Sequence, residues 1–174
     1  MNIHPLFVHF PIALLTLYAL LEIASCFFPQ DWKKTDTVLH IKMFLVIVGG
    51  LSLLPTLLTG GISGDLRGGG SLIEMHETFA QITTVIFGLL AGGYTLWLFD
   101  SLGWSKSLSE KHVFFEKIFL YGRKLVDIIM HMPVRIALAL LGIVAITVTG
   151  GLGASIAYSP DVDPVVHFIY NLVM

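Results

Sequence analysis

The chain has 174 residues, of which 55% are hydrophobic and only 13% are charged, and its formal net charge at pH 7 is −2. An average soluble domain carries about 25% charged residues, so this composition is too apolar to cover the surface of a soluble fold. No stretch resembles a nucleic-acid-binding surface. We therefore expect an integral membrane protein that contacts the lipid bilayer and binds no nucleic acid.

Four stretches are long and apolar enough to cross a bilayer, which takes about 20 residues. They cover residues 6–28, 37–59, 76–99 and 133–157. Backbone polar groups inside lipid must be paired within their own segment, so each stretch is predicted to be a helix. The predicted fold is all-α, a single membrane domain over residues 1–174 built as a four-helix bundle. No sequence repeat is visible by eye.

Two further helices are predicted outside the spans. Between the third and fourth spans, apolar residues recur at helical spacing, which predicts an amphipathic helix over about 108–131 in the headgroup plane on the cytoplasmic side. Near the C-terminus, the pair Asp163-Pro164 is typical of an N-cap followed by proline at the first helical position. This pair predicts a short helix over 164–173 on the outer side.

Basic residues set the predicted orientation. Nine of the ten Lys and Arg residues fall on the face opposite the N-terminus, and the positive-inside rule makes that face cytoplasmic. Both termini are then non-cytoplasmic, as in a multi-pass protein of the bacterial inner membrane. The outer face carries Arg67 and five acidic residues: Asp65, Glu74, Glu77, Asp161 and Asp163. Its net negative charge suits a basic soluble partner, or reflects ordinary loop and cap charges.

Histidines at the outer ends of two spans are the main candidates for a cofactor site. His9 lies near the outer end of the first span, and His76 opens the third. Imidazoles from facing helices commonly hold a haem iron in a bundle, one from each side of the porphyrin plane. The single cysteine, Cys26, excludes the C-x-x-C-H attachment of a c-type haem. The sequence thus predicts a b-type haem bound by His9 and His76.

His4 offers an alternative ligand set. His4 and His9 are five residues apart, about 500° of rotation in a regular helix, which puts them about 140° away from a shared face. If Pro11 is instead the first helical residue, His9 lies in an extended lead-in and the two imidazoles converge. In that case His4, His9 and His76 form a transition-metal site. A third interpretation is that these histidines only hydrogen-bond to headgroups or loops.

Glu22 and Lys42 are ionisable groups inside predicted spans, and such groups are usually paired or functional. Glu22 lies near the inner end of the first span and Lys42 near the inner end of the second, so the two have a similar depth. The loop that joins these spans is short. A structural Glu22–Lys42 ion pair is the favoured interpretation, and a proton path through Glu22 is the alternative.

The opening stretch "HPLFVHFPIALL" resembles the first motif of a family of bacterial membrane proteins of unknown function, four-helix domains that begin His-Pro-x-x-Val-His-Phe-Pro-Ile-Ala. The match covers His4, Pro5, Val8, His9, Phe10, Pro11, Ile12 and Ala13. The segments "LTGGISGD", "MHETFA" and "GGLGASIAY" resemble later parts of that family in order and spacing. Relatives are sometimes joined to, or encoded beside, periplasmic cytochrome c domains, so the resemblance implies redox chemistry at the outer face.

Together these features predict a small membrane redox subunit that binds haem b near the outer face and exchanges electrons with a periplasmic partner such as a cytochrome c. The first alternative is a cofactor-free accessory subunit of a larger respiratory or photosynthetic membrane complex, packed through glycine-rich helices. The second is a histidine-based metal-binding membrane protein. An electron-transfer or accessory role fits better than a stand-alone enzyme, because no nucleophile–base pair or phosphate loop is seen.

Overall fold

The computed structural model describes residues 4–27, 36–67, 70–104 and 113–174, and over these ranges the chain is helical with no strand. Four of its helices are long and apolar enough to cross a membrane. The all-α fold class is therefore confirmed, and these four helices form a bundle. The helices are α1 His4–Ala24, α2 Asp36–Arg67, α3 Ser71–Ser101, α4 Val113–Met130, α5 Met132–Ala157 and α6 Pro164–Val173.

Four helices differ in extent from the sequence prediction by several residues. α1 ends at Ala24, four residues before the predicted end, and α3 begins at Ser71, five residues before the predicted start. α2 continues past residue 59 to Arg67, through a glycine-rich segment predicted to end it. A Cβ at Gly60 would lie 3.1 Å from His4, and one at Gly64 would lie 2.8 Å from Glu77, so close packing favours glycine here despite its low helix propensity. α4 begins at Val113, and residues 108–112 of the predicted amphipathic helix lie outside the described residues.

α1 continues through Pro11 instead of starting there. Proline has no N–H, so the carbonyl of Phe7, four residues earlier, lacks its usual helical donor. Thr56 Oγ1 of α2 donates to that carbonyl at 3.2 Å. The same hydroxyl also lies 2.9 Å from the Ser52 carbonyl of its own helix, so its single hydrogen is shared between the two carbonyls. α1 is helical from His4 onward. The extended lead-in that would let His4 and His9 converge is not formed.

The four long helices form a ring in which each has two neighbours. α1 packs against α2 and α5, and α3 packs against the same two helices. α1 and α3 therefore lie on one diagonal of the bundle, and α2 and α5 lie on the other. The starts of α1 and α3 meet the ends of α2 and α5 at one end. We call it the histidine end, because it carries His4, His9 and His76.

The α1–α2 and α3–α5 hairpins are related by an approximate two-fold rotation about the bundle axis. The α1–α2 contact is as extensive as the α3–α5 contact, and the smaller α2–α3 and α5–α1 contacts match each other. The shift that takes His4 to His76 superimposes four of the five buried positions of α1 on buried positions of α3. The pairs are Pro11 with Thr83, Leu15 with Phe87, Tyr18 with Leu90, and Glu22 with Tyr94.

A second shift, from Gly60 to Gly153, relates α2 to α5. It pairs Val46 with Ala139, Gly49 with Gly142, and Leu53 with Ile146, and all six are buried. A Cβ at Gly49 would lie 2.6 Å from Leu15, and one at Gly142 would lie 2.7 Å from Phe87. Leu15 and Phe87 are themselves equivalent, so both hairpins close on a glycine in the same way. The repeat preserves residue identity at few positions, which explains why it is not visible by eye.

The two remaining helices cover the ends of this ring. α4 packs against α3 and α5, and α6 packs against α5. Asp163 caps α6, as predicted, because its Oδ1 accepts hydrogen bonds from the backbone N–H groups of Val165 and Val166 at 2.8 and 2.9 Å. Ile169 of α6 fills the space beside Gly151 of α5, where a Cβ would lie 2.6 Å away. α6 is therefore fixed beside the histidine end.

Candidate cofactor site

A cavity of about 470 Å³ lies between the four long helices at the histidine end. This volume is within the range of about 300–1,000 Å³ that is typical of ligand sites. Its walls are mostly apolar or small side chains, with His4, His9 and His76 among them. The three histidines predicted as ligands therefore all border one cavity.

The lining of the cavity follows the two-fold relation. Every lining position of α1 has a lining counterpart in α3, and every lining position of α2 has one in α5. On α1 and α3 the pairs are His4 with His76, Pro5 with Glu77, Val8 with Ala80, His9 with Gln81, Pro11 with Thr83, and Ile12 with Thr84. The approximate two-fold axis therefore passes through the cavity, and His4 and His76 face it from opposite diagonal helices.

His76 is held by the backbone of α5. Its Nδ1 lies 3.0 Å from the carbonyl oxygen of Thr149, and because a carbonyl only accepts, Nδ1–H is the donor. In a neutral imidazole this leaves the lone pair on Nε2. A hydrogen bond of this kind orients histidines that bind metals and sets their tautomer.

His4 is held in an equivalent way by α2. Its Nδ1 lies 3.1 Å from Thr59 Oγ1. The Thr59 hydroxyl has one hydrogen, which it directs to the helix carbonyls of Pro55 and Thr56 at 2.8 and 3.1 Å. Its oxygen is thus the acceptor from His4 Nδ1–H, and the lone pair of the neutral ring is again on Nε2.

Glycine supports both imidazoles at equivalent positions. A Cβ at Gly60 would lie 3.1 Å from His4 Cε1, and one at Gly153 would lie 3.2 Å from His76 Cε1. Each ring therefore packs directly on a helix backbone.

His9 differs from this pair. It is exposed, whereas His4 and His76 are half-buried. Because α1 is a regular helix at this point, His9 projects about 140° away from His4. Its equivalent in α3 is Gln81, not a histidine. Among the described residues, no group of three or more His, Cys, Asp and Glu side chains is arranged to hold a metal ion, so His4, His9 and His76 do not form a preassembled three-ligand centre.

The other candidate pair, Glu22 and Lys42, lies at the opposite end of the bundle. Lys42 Nζ is 3.1 Å from Glu22 Oε2, and the two side chains are 7% and 1% exposed. Arg135 Nε of α5 lies 2.7 Å from Glu22 Oε1, and Tyr94 of α3 donates to Oε2 at 3.2 Å. We call this cluster of Glu22, Lys42, Arg135 and Tyr94 the ionic end. It joins one residue from each long helix.

Sequence reasoning missed Arg135 and Tyr94. Arg135 was grouped with the basic cytoplasmic face, although the shift from Gly60 to Gly153 makes it the two-fold equivalent of Lys42. Its position inside the fourth predicted span was the signal available. Tyr94 carries no charge, so only the two-fold relation identifies it, as the equivalent of Glu22.

The acidic residues near the histidine end have different surroundings. Glu74 and Glu77 are exposed, and Glu77 borders the cavity. Asp161 Oδ1 lies 2.8 Å from His167 Nδ1, and Asp163 caps α6. The side chains of Asp65 and Arg67 lie outside the described part of the chain.

Comparison with protein-family models, curated proteins and solved structures finds no match to this chain. The resemblance of its opening motif to a bacterial membrane family therefore stays a prediction.

Proposed function

We propose that the chain is an integral membrane subunit that binds a b-type haem in the cavity at the histidine end and transfers electrons. The bilayer assignment rests on the outward surface of the bundle. Leu17, Leu51, Val85 and Val144, one from each long helix, expose more than half of their surface. An apolar belt of this extent promotes aggregation in water but is the expected surface in lipid.

The observation that carries the haem proposal is the hydrogen bond from His76 Nδ1–H to the Thr149 carbonyl. It directs a neutral Nε2 lone pair to a cavity with a mostly apolar wall, and the second imidazole comes from α1. Such a site supplies two nitrogen ligands from facing helices. A bound haem supplies one-electron transfer, and the protein contributes ligation, orientation and a low-dielectric surround.

Orientation and partner follow from charge. With nine of the ten basic residues on the opposite face, the histidine end is assigned to the outer side of the bacterial inner membrane, with both termini non-cytoplasmic. The exposed Glu74 and Glu77 then face the periplasm beside the cavity and attract a basic electron-transfer partner such as a cytochrome c. A larger respiratory or photosynthetic complex is the other setting in which such a subunit works.

The haem proposal is tested on protein purified in detergent from haem-replete cells. We expect b-type bands in the reduced-minus-oxidised spectrum, and we expect His76→Ala to abolish them. His167→Ala is the matched control, because this exposed histidine on α6 does not border the cavity. A colourless wild-type protein would contradict the proposal. Copper or zinc found in its place would favour the metal-binding alternative.

A cofactor-free accessory subunit is the second candidate, and one observation favours it. Gly88 and Gly92 are exposed on α3 with nothing within 4 Å of an added Cβ. Glycines four residues apart allow close approach of a helix from another membrane protein. If this alternative holds, Gly88→Leu disrupts co-purification with a membrane partner, and the isolated protein contains no haem.

A further inference from the structure

Both histidines of α1 border the cavity, and the two-fold relation between the hairpins distinguishes them. We infer that His4, and not His9, is the second axial ligand, so that His4 and His76 hold the iron as a two-fold-related pair. This inference rests on the proposed haem site for the nature of the ligand. It replaces the predicted His9–His76 pair.

The positions of His4 and His76 in the ring favour this pair. His4 and His76 occupy equivalent positions at the starts of α1 and α3, which lie on one diagonal of the ring. Ligands on a diagonal approach a central group from opposite sides, as an iron in a porphyrin plane requires. The equivalent of His9 is Gln81, so a His9–His76 pair would be off the two-fold axis that the rest of the lining follows.

The imidazole rings of His4 and His76 are also oriented before any ligand binds. Both rings of the His4–His76 pair donate Nδ1–H to the other diagonal, His4 to Thr59 of α2 and His76 to Thr149 of α5. Each hydrogen bond fixes a ring orientation and a tautomer before a ligand binds, which lowers the entropy cost of binding. Among the described residues, no side-chain hydrogen bond fixes the His9 ring.

The His4 and His76 rings also pack in the same way on the backbone of a neighbouring helix. Gly60 and Gly153 contact Cε1 of His4 and His76 at almost the same distance, 3.1 and 3.2 Å from an added Cβ. The glycines that let the imidazoles lie against the helices thus recur at equivalent positions. Among the described glycines, none has His9 among the atoms nearest to an added Cβ.

The test compares alanine variants at the three histidines in full-length, detergent-purified protein titrated with hemin. Loss of an axial ligand is expected to weaken hemin binding by at least about tenfold, the lower limit seen when only a supporting hydrogen bond is lost. We expect this loss for His4→Ala and for His76→Ala, and near wild-type binding for His9→Ala. The low-spin spectrum of a bis-imidazole haem should survive only in His9→Ala.

Methionine variants keep the test decisive if an alanine variant fails to fold. A thioether ligand in place of imidazole raises the reduction potential of a haem, so we expect His4→Met to raise the midpoint potential and His9→Met to leave it unchanged. If His9→Ala loses hemin and His4→Ala retains it, the assignment of His4 is overturned while the haem proposal stands. If the wild-type protein takes up no hemin, both are overturned.

Discussion

Both ends of the bundle are built from equivalent helix positions, but one end contains a cavity and the other contains a cluster of ion pairs. At the histidine end, His4 and His76 keep the two-fold relation, and the walls leave a cavity of about 470 Å³. At the ionic end, the equivalent residues Lys42 and Arg135 are both basic. The equivalent positions between them hold different residue types, Glu22 on α1 and Tyr94 on α3. There a single carboxylate accepts hydrogen bonds from Lys42, Arg135 and Tyr94.

This difference separates a binding site from a structural cluster. Every charged group at the ionic end already has a partner of opposite charge within 3.1 Å. The histidine end has a cavity that His4, His9 and His76 line. We therefore assign stability to the ionic end and ligand binding to the histidine end, and variants at each end test this division.

The largest expected effect is on stability at the ionic end. Glu22→Gln leaves Lys42 and Arg135 as buried cations without a counter-charge, which costs about 3–5 kcal/mol of unfolding free energy. Unfolding of the purified protein in denaturing detergent measures it. The control is Asp100→Asn, because the Asp100–Arg123 pair is 33% and 52% exposed and such a pair contributes about 1 kcal/mol or less. Equal stability of the two variants would contradict a structural role for Glu22.

A smaller loss of stability is expected where the helices of each hairpin cross. Gly49→Ala and Gly142→Ala each place a Cβ within 2.7 Å of a core side chain, and overpacking of this kind costs about 1–3 kcal/mol. The two-fold relation predicts similar losses in the two hairpins. Gly61→Ala is the control, because nothing lies within 4 Å of its Cβ. A loss confined to one hairpin would argue against their equivalence.

The smallest expected effect concerns the support of His4. Thr59→Val removes the acceptor of His4 Nδ1–H but leaves the imidazole, and loss of such a hydrogen bond typically weakens metal binding about 10–100-fold. Hemin titration measures the change. Thr95→Val is the matched control, since the Thr95 hydroxyl donates only to the Ala91 carbonyl of its own helix, at 2.7 Å. Identical affinities in the two variants would mean that Thr59 does not position a ligand.

Sequence alone predicted the features that depend on one helix at a time. The length of the apolar stretches predicted the four long helices. The distances of Glu22 and Lys42 from the inner ends of their spans predicted that the two residues lie at a similar depth. Arg135 and Tyr94 were missed because their contacts with Glu22 depend on which helices are adjacent in the ring. Hydrophobic length carries no information about adjacency.

The sequence alone could not decide between His4 and His9, and the reason is different. Proline is common at a helix start, so the sequence gives no sign that α1 continues through Pro11, where Thr56 of another helix lies near the Phe7 carbonyl. The internal repeat was hidden because its two halves are related by different shifts, His4 to His76 and Gly60 to Gly153. Few residue identities survive at these shifts, while the burial pattern of α1 is largely repeated in α3.

Filling the cavity tests most directly whether the histidine end binds a ligand. Gly150 borders the cavity, and nothing lies within 4 Å of an added Cβ there; its two-fold equivalent is Leu57. Gly150→Leu should therefore fold, and remain at least as resistant to heat as the wild type because leucine is the better helix former. Hemin titration of this variant is the decisive measurement. We predict that it no longer takes up hemin, and hemin uptake equal to the wild type would contradict a haem site in this cavity.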